Sequence, residues 1–414
     1  MLKILINAYA CSPHTGSEPG MGWNWCANLA RYCEVHIITE GEFRGYIEEA
    51  LKTLPQASNM YFYYNPVSDE IRNMCWNQGD WRFYGHYKKW QYQTYKLAVE
   101  IVKEHNIDIL HQLNMIGFRE PGYLWKIKYI PLIWGPIGGL KQFPVNYLKE
   151  AGLKFQLFNR LKNFLNICQL RFDSRVNKAL RGADVLISSI PDSYKALKTY
   201  KGKDSLIIPE TGSYPSDIKI STGRFFSKKL NILWVGKFDF RKQLPLALKS
   251  IAQINNPNII LHVVGSGTKQ QEASAKLIVD TLGIKNQVVF YGNCPNAIVL
   301  KKMKQMQLFF FTSVSEDTST VVMEAISNQL PVLCFDTCGF GAVINDRIGV
   351  KIKLTSPEKS VLDFSSHIDY LSENRHVLKK MSINCIELQK ELSWDNKARK
   401  VIELYRRTLN KRLD

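Results

Sequence analysis

Long apolar runs are missing from this chain of 414 residues. No stretch approaches the ~18 consecutive apolar residues that a membrane span needs, which sets aside the membrane-spanning classes. No Cys-x-x-Cys pair occurs, and the cysteines number nine, an odd count. A disulfide framework is therefore not expected, whereas reduced thiols in the cytoplasm are. The eight histidines are scattered, without His-Glu-x-x-His or comparable zinc spacing. No Asp-x-Asp cluster marks a cation site, so no metal is expected. The Cys334/Cys338 pair flanks a strand end and reads as structural. Zinc-finger and basic-arm patterns are absent, so nucleic acid is not an expected partner. Acidic residues are scarce: 37 Asp and Glu stand against 55 Lys and Arg, for a net charge of +18. Such a balance favours an anionic partner, here an anionic substrate or a membrane surface.

What is present suits two domains of roughly 200 residues, each able to bury its own core. The N-terminal run from Leu2 to Ala8 is too short and polar for a signal peptide and reads as a first strand. The most informative stretch runs from Leu308 to Phe335. Leu308-Phe309-Phe310-Phe311 reads as a buried strand, and Val321, Val322, Ala325 and Ile326 have helical spacing. The helix must stop before Pro331, and Val332-Leu333-Cys334-Phe335 reads as the next strand. Glu316 then lies in the loop at a strand's carboxyl end, and Glu324 lies in the following helix. That edge of an open α/β sheet is where ligands bind. The helix start, at Ser319 and Thr320, offers unpaired N–H groups and a positive dipole end suited to phosphate. Carboxylates accept hydrogen bonds from hydroxyls instead. A diphosphate with polyols on both sides, as in a nucleotide sugar, fits this combination.

Elsewhere the chain alternates strand and helix. A loop rich in small residues, Cys11 to Gly22, carries G-x3-G-x-G spacing and precedes a helix expected from Trp23 to Arg31. Residues 60–95 are dense in aromatics, able to pack a helix or to stack on sugar rings. Ile107 to His111 reads as a strand with His111 at its carboxyl end, a position from which it could act directly. Tyr129 to Trp134 reads as the next strand, leading into Gly135-Pro136-Ile137-Gly138-Gly139. Lys149 to Arg181 is basic and amphipathic, with Leu153, Leu157, Phe158, Leu161, Phe164, Leu165 and Cys168 near one face. Such a helix either packs its apolar face on the core or lies on an anionic bilayer. Asn231 to Val235 reads as a buried strand, followed by Gly236-Lys237 and, before the next helix, Lys242. Two lysines so placed can neutralise a diphosphate.

The segment from Glu316 to Val332 resembles the signature of the family-4 retaining glycosyltransferases, E-x7-E-A followed by a Pro-Val strand. The resemblance extends over almost the whole chain and is strongest from Asn231 to Gly341. Thr318-Ser319 stand where many members have Phe-Gly. The resemblance implies an α/β chain of GT-B fold, two Rossmann-like domains facing across a cleft. It places an acceptor-side domain at residues 1–212, a donor-side domain at 213–392, and a final helix at 393–414 returning to the first. It also implies sugar transfer from a nucleotide-diphosphate donor, UDP- or GDP-linked, to an acceptor hydroxyl with retention. No other cofactor is implied, and cell-surface polysaccharide or lipid-linked glycan assembly is the setting.

By the same resemblance Glu316 lies near the donor sugar, Glu324 binds the ribose, and Lys237 and Lys242 hold the diphosphate. The turns at Gly265 and Asn293 sit beside the base. Gly20 and Gly22 face donor phosphates, and Glu18, Trp23, Gly138 and Gly139 fall on the acceptor side. The histidine that many members carry after the Tyr129 strand is replaced here by Gly135-Pro136-Ile137. A same-fold sugar-nucleotide epimerase, a nicotinamide-dependent dehydrogenase and a nucleic-acid-binding protein are the rival readings.

Overall fold

Parallel strands buried on both faces read as unbroken apolar runs, and this chain contains two sets of them. The computed structural model describes residues 1–77, 80–215 and 221–413. The chain divides into two units. The first holds residues 1–141, 164–210 and 394–414, and the second holds 142–163 and 211–393. Residues 142–163, expected in the first domain, thus belong with the second. Residues 216–220, just after the expected boundary at 212/213, lie outside the described residues.

The first unit is built on β1 (Lys3–Ala8), β2 (Glu34–Thr39), β3 (Met60–Tyr64), β4 (Ile109–Asn114), β5 (Leu132–Ile137), β6 (Val185–Ser188) and β7 (Leu206–Ile207). Their order is β3-β2-β1-β4-β5-β6-β7, parallel throughout. One face is covered by the helix Ser17–Leu29 and the closing helix Trp394–Leu413, through Trp25, Cys26, Val401 and Tyr405. The other packs the helix Arg82–Glu104, whose Phe83, Tyr87 and Trp90 are buried around Tyr9. Of the aromatics at 60–95, Phe83, Tyr87 and Trp90 are core, Phe62, Tyr63, Tyr64 and Tyr95 are half-buried, and Tyr61, Trp76, Trp81, Tyr84 and Tyr92 are exposed.

The second unit is built on β8 (Leu230–Val235), β9 (Ile259–Val264), β10 (Val288–Phe290), β11 (Leu308–Phe311), β12 (Val332–Phe335) and β13 (Gly349–Ile352), in the order β10-β9-β8-β11-β12-β13. All four side chains of β11 are buried. Each such burial contributes roughly 1.5–3 kcal/mol, enough to pin the strand's register and hence the loop that leaves it. In both sheets the strand order reverses, between β1 and β4 and between β8 and β11. The loops leaving the two central strands therefore diverge and open a crevice at the carboxyl edge.

Three expected boundaries move. The first helix begins at Ser17, six residues before Trp23, and runs through Pro19, Gly20 and Gly22. The two glycines are helical and pressed against backbone. A Cβ would stand 2.3 Å from the Thr15 carbonyl oxygen at Gly20 and 2.2 Å from that of Ala10 at Gly22. Proline is tolerated in a first turn, where its missing N–H is one of the unpaired set. Strand β4 runs on to Asn114, so His111 sits inside it rather than at its end. Strand β5 starts at Leu132 and absorbs Gly135-Pro136-Ile137.

Gly265, where β9 ends, has φ +134°, and a Cβ there would stand 1.8 Å from the Gly236 carbonyl oxygen. We expect Gly265→Ala to cost roughly 3 kcal/mol or more, strain and overlap adding together. At Gly283, φ is +67° with nothing within 4 Å of a Cβ. Gly283→Ala should cost only about 1–2 kcal/mol. Urea unfolding of the two variants checks the difference; equal losses would contradict the close approach at Gly265.

Candidate active site

The crevice of the second sheet gathers the loops that leave β8 and β11. Trp234 donates its indole N–H to the Thr312 hydroxyl (3.0 Å), and that hydroxyl donates to the Lys242 carbonyl (2.7 Å). The backbone N–H of Val314 donates to the Arg241 carbonyl (2.9 Å). These bonds bring Lys242 beside Glu316, with Nζ 2.8 Å from Oε1. The pair is largely shielded from water, the side chains being 13% and 17% exposed. Ser313 donates its hydroxyl to the same carboxylate oxygen (3.1 Å), and the Lys242 ammonium lies over the Phe311 ring (4.7 Å). From the next loop, Cys338 accepts the Glu316 backbone N–H on Sγ (3.2 Å) and Gly339 donates its N–H to the Asp317 carbonyl (3.1 Å).

The helix Thr320–Ser327 starts from this loop. Ser319 stands at its N-cap with extended backbone, yet its hydroxyl makes no capping bond. The Ser319 side chain thus leaves the first turn uncapped, while the Val322 N–H donates to the Ser319 carbonyl (3.1 Å). Thr320 is exposed at the helix start and Ser319 is buried. One and a half turns on, Glu324 accepts from the Asn296 side-chain amide (2.9 Å). Burial pushes its carboxyl above the usual carboxylate range, against the opposing pull of that hydrogen bond. Lys237 is exposed and pairs with no described residue. Gly265 donates its N–H to the Gly292 carbonyl (2.8 Å), which places the exposed Asn293 on the neighbouring turn. Of the expected donor-side residues, Lys242, Glu316, Ser319 and Thr320 share one loop cluster. Glu324 is on its helix, and Lys237, Gly265 and Asn293 lie at the ends of β8, β9 and β10.

Two residues went unassigned in the sequence reading. Arg241, adjacent to Lys242, pairs with Asp239 (2.9 Å). Asn296 is joined to Glu324 only by tertiary contact, and no spacing pattern signals it.

The first unit treats its expected site residues differently. His111 is fully buried, with Nδ1 2.6 Å from the Tyr405 hydroxyl and Nε2 2.7 Å from the Gly135 carbonyl oxygen. Burial lowers its pKa to about 4. Both ring nitrogens are occupied, so the direct role expected of it is corrected to a tie between β4, β5 and the closing helix. The Glu18 carboxylate accepts the Ile116 N–H (3.2 Å). Trp23 is buried and stacks on Phe62. Gly138 donates to the Ile116 carbonyl (2.7 Å), and Gly139 follows with φ +73°. Gly20 and Gly22, inside their helix, serve close packing. Among the described residues no group of three or more His, Cys, Asp or Glu is arranged to hold a metal ion.

Residues 217–388 match the family model of glycosyl transferases group 1. That glycosyltransferase-like segment contains the whole Lys242–Glu316 cluster. A curated relative, an uncharacterized glycosyltransferase of Methanocaldococcus jannaschii, is 22% identical over 177 residues, covering 42% of this chain and 44% of the relative. The chain thus spans less than half the length of that relative. Among solved structures, a glycosyltransferase from Rickettsia africae superposes with a TM-score of 0.63 at 14% identity, over 99% of this chain and 98% of that one. Anabaena HepE, solved with UDP and glucose, gives 0.60 at 14% identity, over 98% and 99%. The fold is GT-B, two Rossmann-like α/β domains.

Removing one member of the shielded pair leaves a charge without its partner. Lys242→Met should cost about 2–4 kcal/mol of stability in urea unfolding, and Glu316→Gln added to it should restore part of the loss. Additive losses in the double variant would show that the two charges do not interact.

Proposed function

We propose that this chain is a retaining glycosyltransferase, transferring a sugar from a nucleotide-diphosphate donor to an acceptor hydroxyl. The observation that carries the reading is the Lys242–Glu316 pair set beside an uncapped helix start, at the crevice of a sheet within a glycosyl transferases group 1 match. In this reading the diphosphate lies at the N-terminus of the Thr320–Ser327 helix. Lys242, which uses one of its three N–H donors on Glu316, offers the others to the phosphates, and Lys237 adds charge from the end of β8. Glu324 accepts from the ribose hydroxyls. Glu316 holds sugar hydroxyls and sets the charge near the anomeric carbon. The turns at Gly265 and Asn293 border the base, UDP or GDP being the expected carriers.

As the bond from the anomeric carbon to the diphosphate oxygen breaks, the acceptor oxygen bonds to the same face of that carbon. Its proton passes to a donor phosphate oxygen, and the nucleoside diphosphate leaves. Lysines and helix N–H groups stabilise the charge that develops on the leaving diphosphate, as fixed donors that need no reorganisation. The proposed acceptor is a glycan or lipid-linked glycan of cell-surface polysaccharide assembly, and the first unit is its proposed site.

Calorimetric titration with UDP and GDP tests this. One of them should bind, and Glu324→Gln should weaken it roughly tenfold, the worth of a hydrogen bond to a charged acceptor. The carboxylate is the acceptor and its pKa is raised, so affinity should fall as the solution goes from about pH 7.5 to about pH 5 and Glu324 protonates. The Gln variant should lack that slope. Absence of nucleotide binding, or binding indifferent to Glu324, would overturn the proposal.

A further inference from the structure

A helix on the surface of a globular protein normally turns its apolar stripe inward and its polar side to water. The helix Leu153–Phe172 does the reverse. Leu153, Leu157, Leu161 and Phe164 are 83%, 70%, 51% and 62% exposed, and Phe158 and Leu165 beside them are exposed as well. The side turned toward the protein carries asparagines, with Leu170 buried near its far end and Phe155 set against the Phe143 and Phe240 rings. Asn159 and Asn166 are buried. Asn163 exchanges hydrogen bonds with the Phe143 backbone, accepting its N–H (2.9 Å) and donating to its carbonyl (3.0 Å). Asn166 accepts from the Arg119 guanidinium. The stripe expected to choose between core and membrane is therefore not in the core. The inward side is held by specific polar bonds, so the outward display of leucine and phenylalanine is built into the helix's seating.

Along the helix itself the charge has one sign. From Ala151 through Phe172 the sequence contains no Asp or Glu, while Lys154, Arg160, Lys162 and Arg171 stand on the helix. At its far end the Lys201 ammonium donates to the Arg171 carbonyl (3.1 Å), adding a second cation there. Burial and the neighbouring guanidinium groups of Arg181 and Arg171 push that ammonium below its usual range. The helix spans 20 residues, and among the described residues no helix is long and apolar enough to cross a membrane.

We infer that the exposed face of the Leu153–Phe172 helix is a docking surface for an anionic lipid bilayer. The helix lies in the plane of the interface, with the leucines and phenylalanines in the acyl boundary and the basic residues on the headgroups. Charge complementarity selects this occupant over a second copy of the chain, since two such faces would oppose like charges across apolar contact. The inference rests on the helix's seating and charge, independently of the proposed transfer.

The test is sedimentation of the full chain with phosphatidylcholine vesicles, with and without phosphatidylglycerol. The wild type should bind the anionic vesicles, bind zwitterionic ones far more weakly, and release as salt is raised. Leu157→Ser/Leu161→Ser/Phe164→Ser should lower binding at least about tenfold. Lys154→Glu/Arg160→Glu should abolish the preference for anionic lipid. All five residues lie outside the proposed donor site, so thermal midpoint and nucleotide titration should match the wild type. Equal binding to both vesicle types would overturn the inference, as would undiminished binding of the Ser variant. A wild-type dimer in solution that the Ser variant disperses would also overturn it, assigning the face to a second copy. The wild-type comparison across vesicles and salt stands even where a variant fails to fold.

Discussion

A charge shielded from water must have a partner, and in the second unit that requirement ties two loops together. Lys242 leaves the β8 side of the crevice and Glu316 the β11 side, and neither carboxylate nor ammonium is left alone there. The pair depends on β8 and β11 being neighbours, which depends on the reversal of strand order. That order in turn depends on apolar runs such as Leu308–Phe311 burying both sides of a parallel strand. The uncapped start of the Thr320–Ser327 helix follows directly from the Glu316 loop. A helix start without a side-chain cap, a carboxylate and a cation thus arise at one place because one sheet edge is where these loops must go.

Much of this was legible in the sequence, and the parts that were not share a cause. Strand and helix alternation, the position of Glu316 after β11 and that of Glu324 inside its helix follow from apolar periodicity and from the stop before Pro331. These are local signals. The start of the first helix at Ser17 was hidden because Pro19, Gly20 and Gly22 look like loop residues. They are helical because a first turn tolerates proline and because neighbouring backbone leaves no room for a Cβ. His111 looked available for chemistry because the strand's end was set three residues too early, and nothing nearby in sequence announces Tyr405 or Gly135 as its partners. Asn296 meets Glu324 only through the fold.

The Leu153–Phe172 helix shows the limit of pattern from the other side. Its amphipathicity was plain, but periodicity says only that a helix has two faces. Which of them turns outward is decided by Phe143 and Arg119 engaging asparagines, and those contacts are tertiary. The excess of basic residues, +18 over the whole chain, then has a local expression on a face that displays hydrocarbon. The same excess suits a diphosphate in the second unit, so a single compositional signal is consistent with two separate anionic partners.

The central claim is that the cluster around Lys242 and Glu316 is a nucleotide-sugar donor site. The most direct measurement is a crystal structure of the chain soaked with the nucleoside diphosphate that titration selects. The account predicts the diphosphate at the N-terminus of the Thr320–Ser327 helix, within hydrogen-bond reach of Lys242, and the ribose hydroxyls on Glu324. A nucleotide seated away from the β8–β11 crevice, or a crevice left empty at saturating nucleotide, would contradict it.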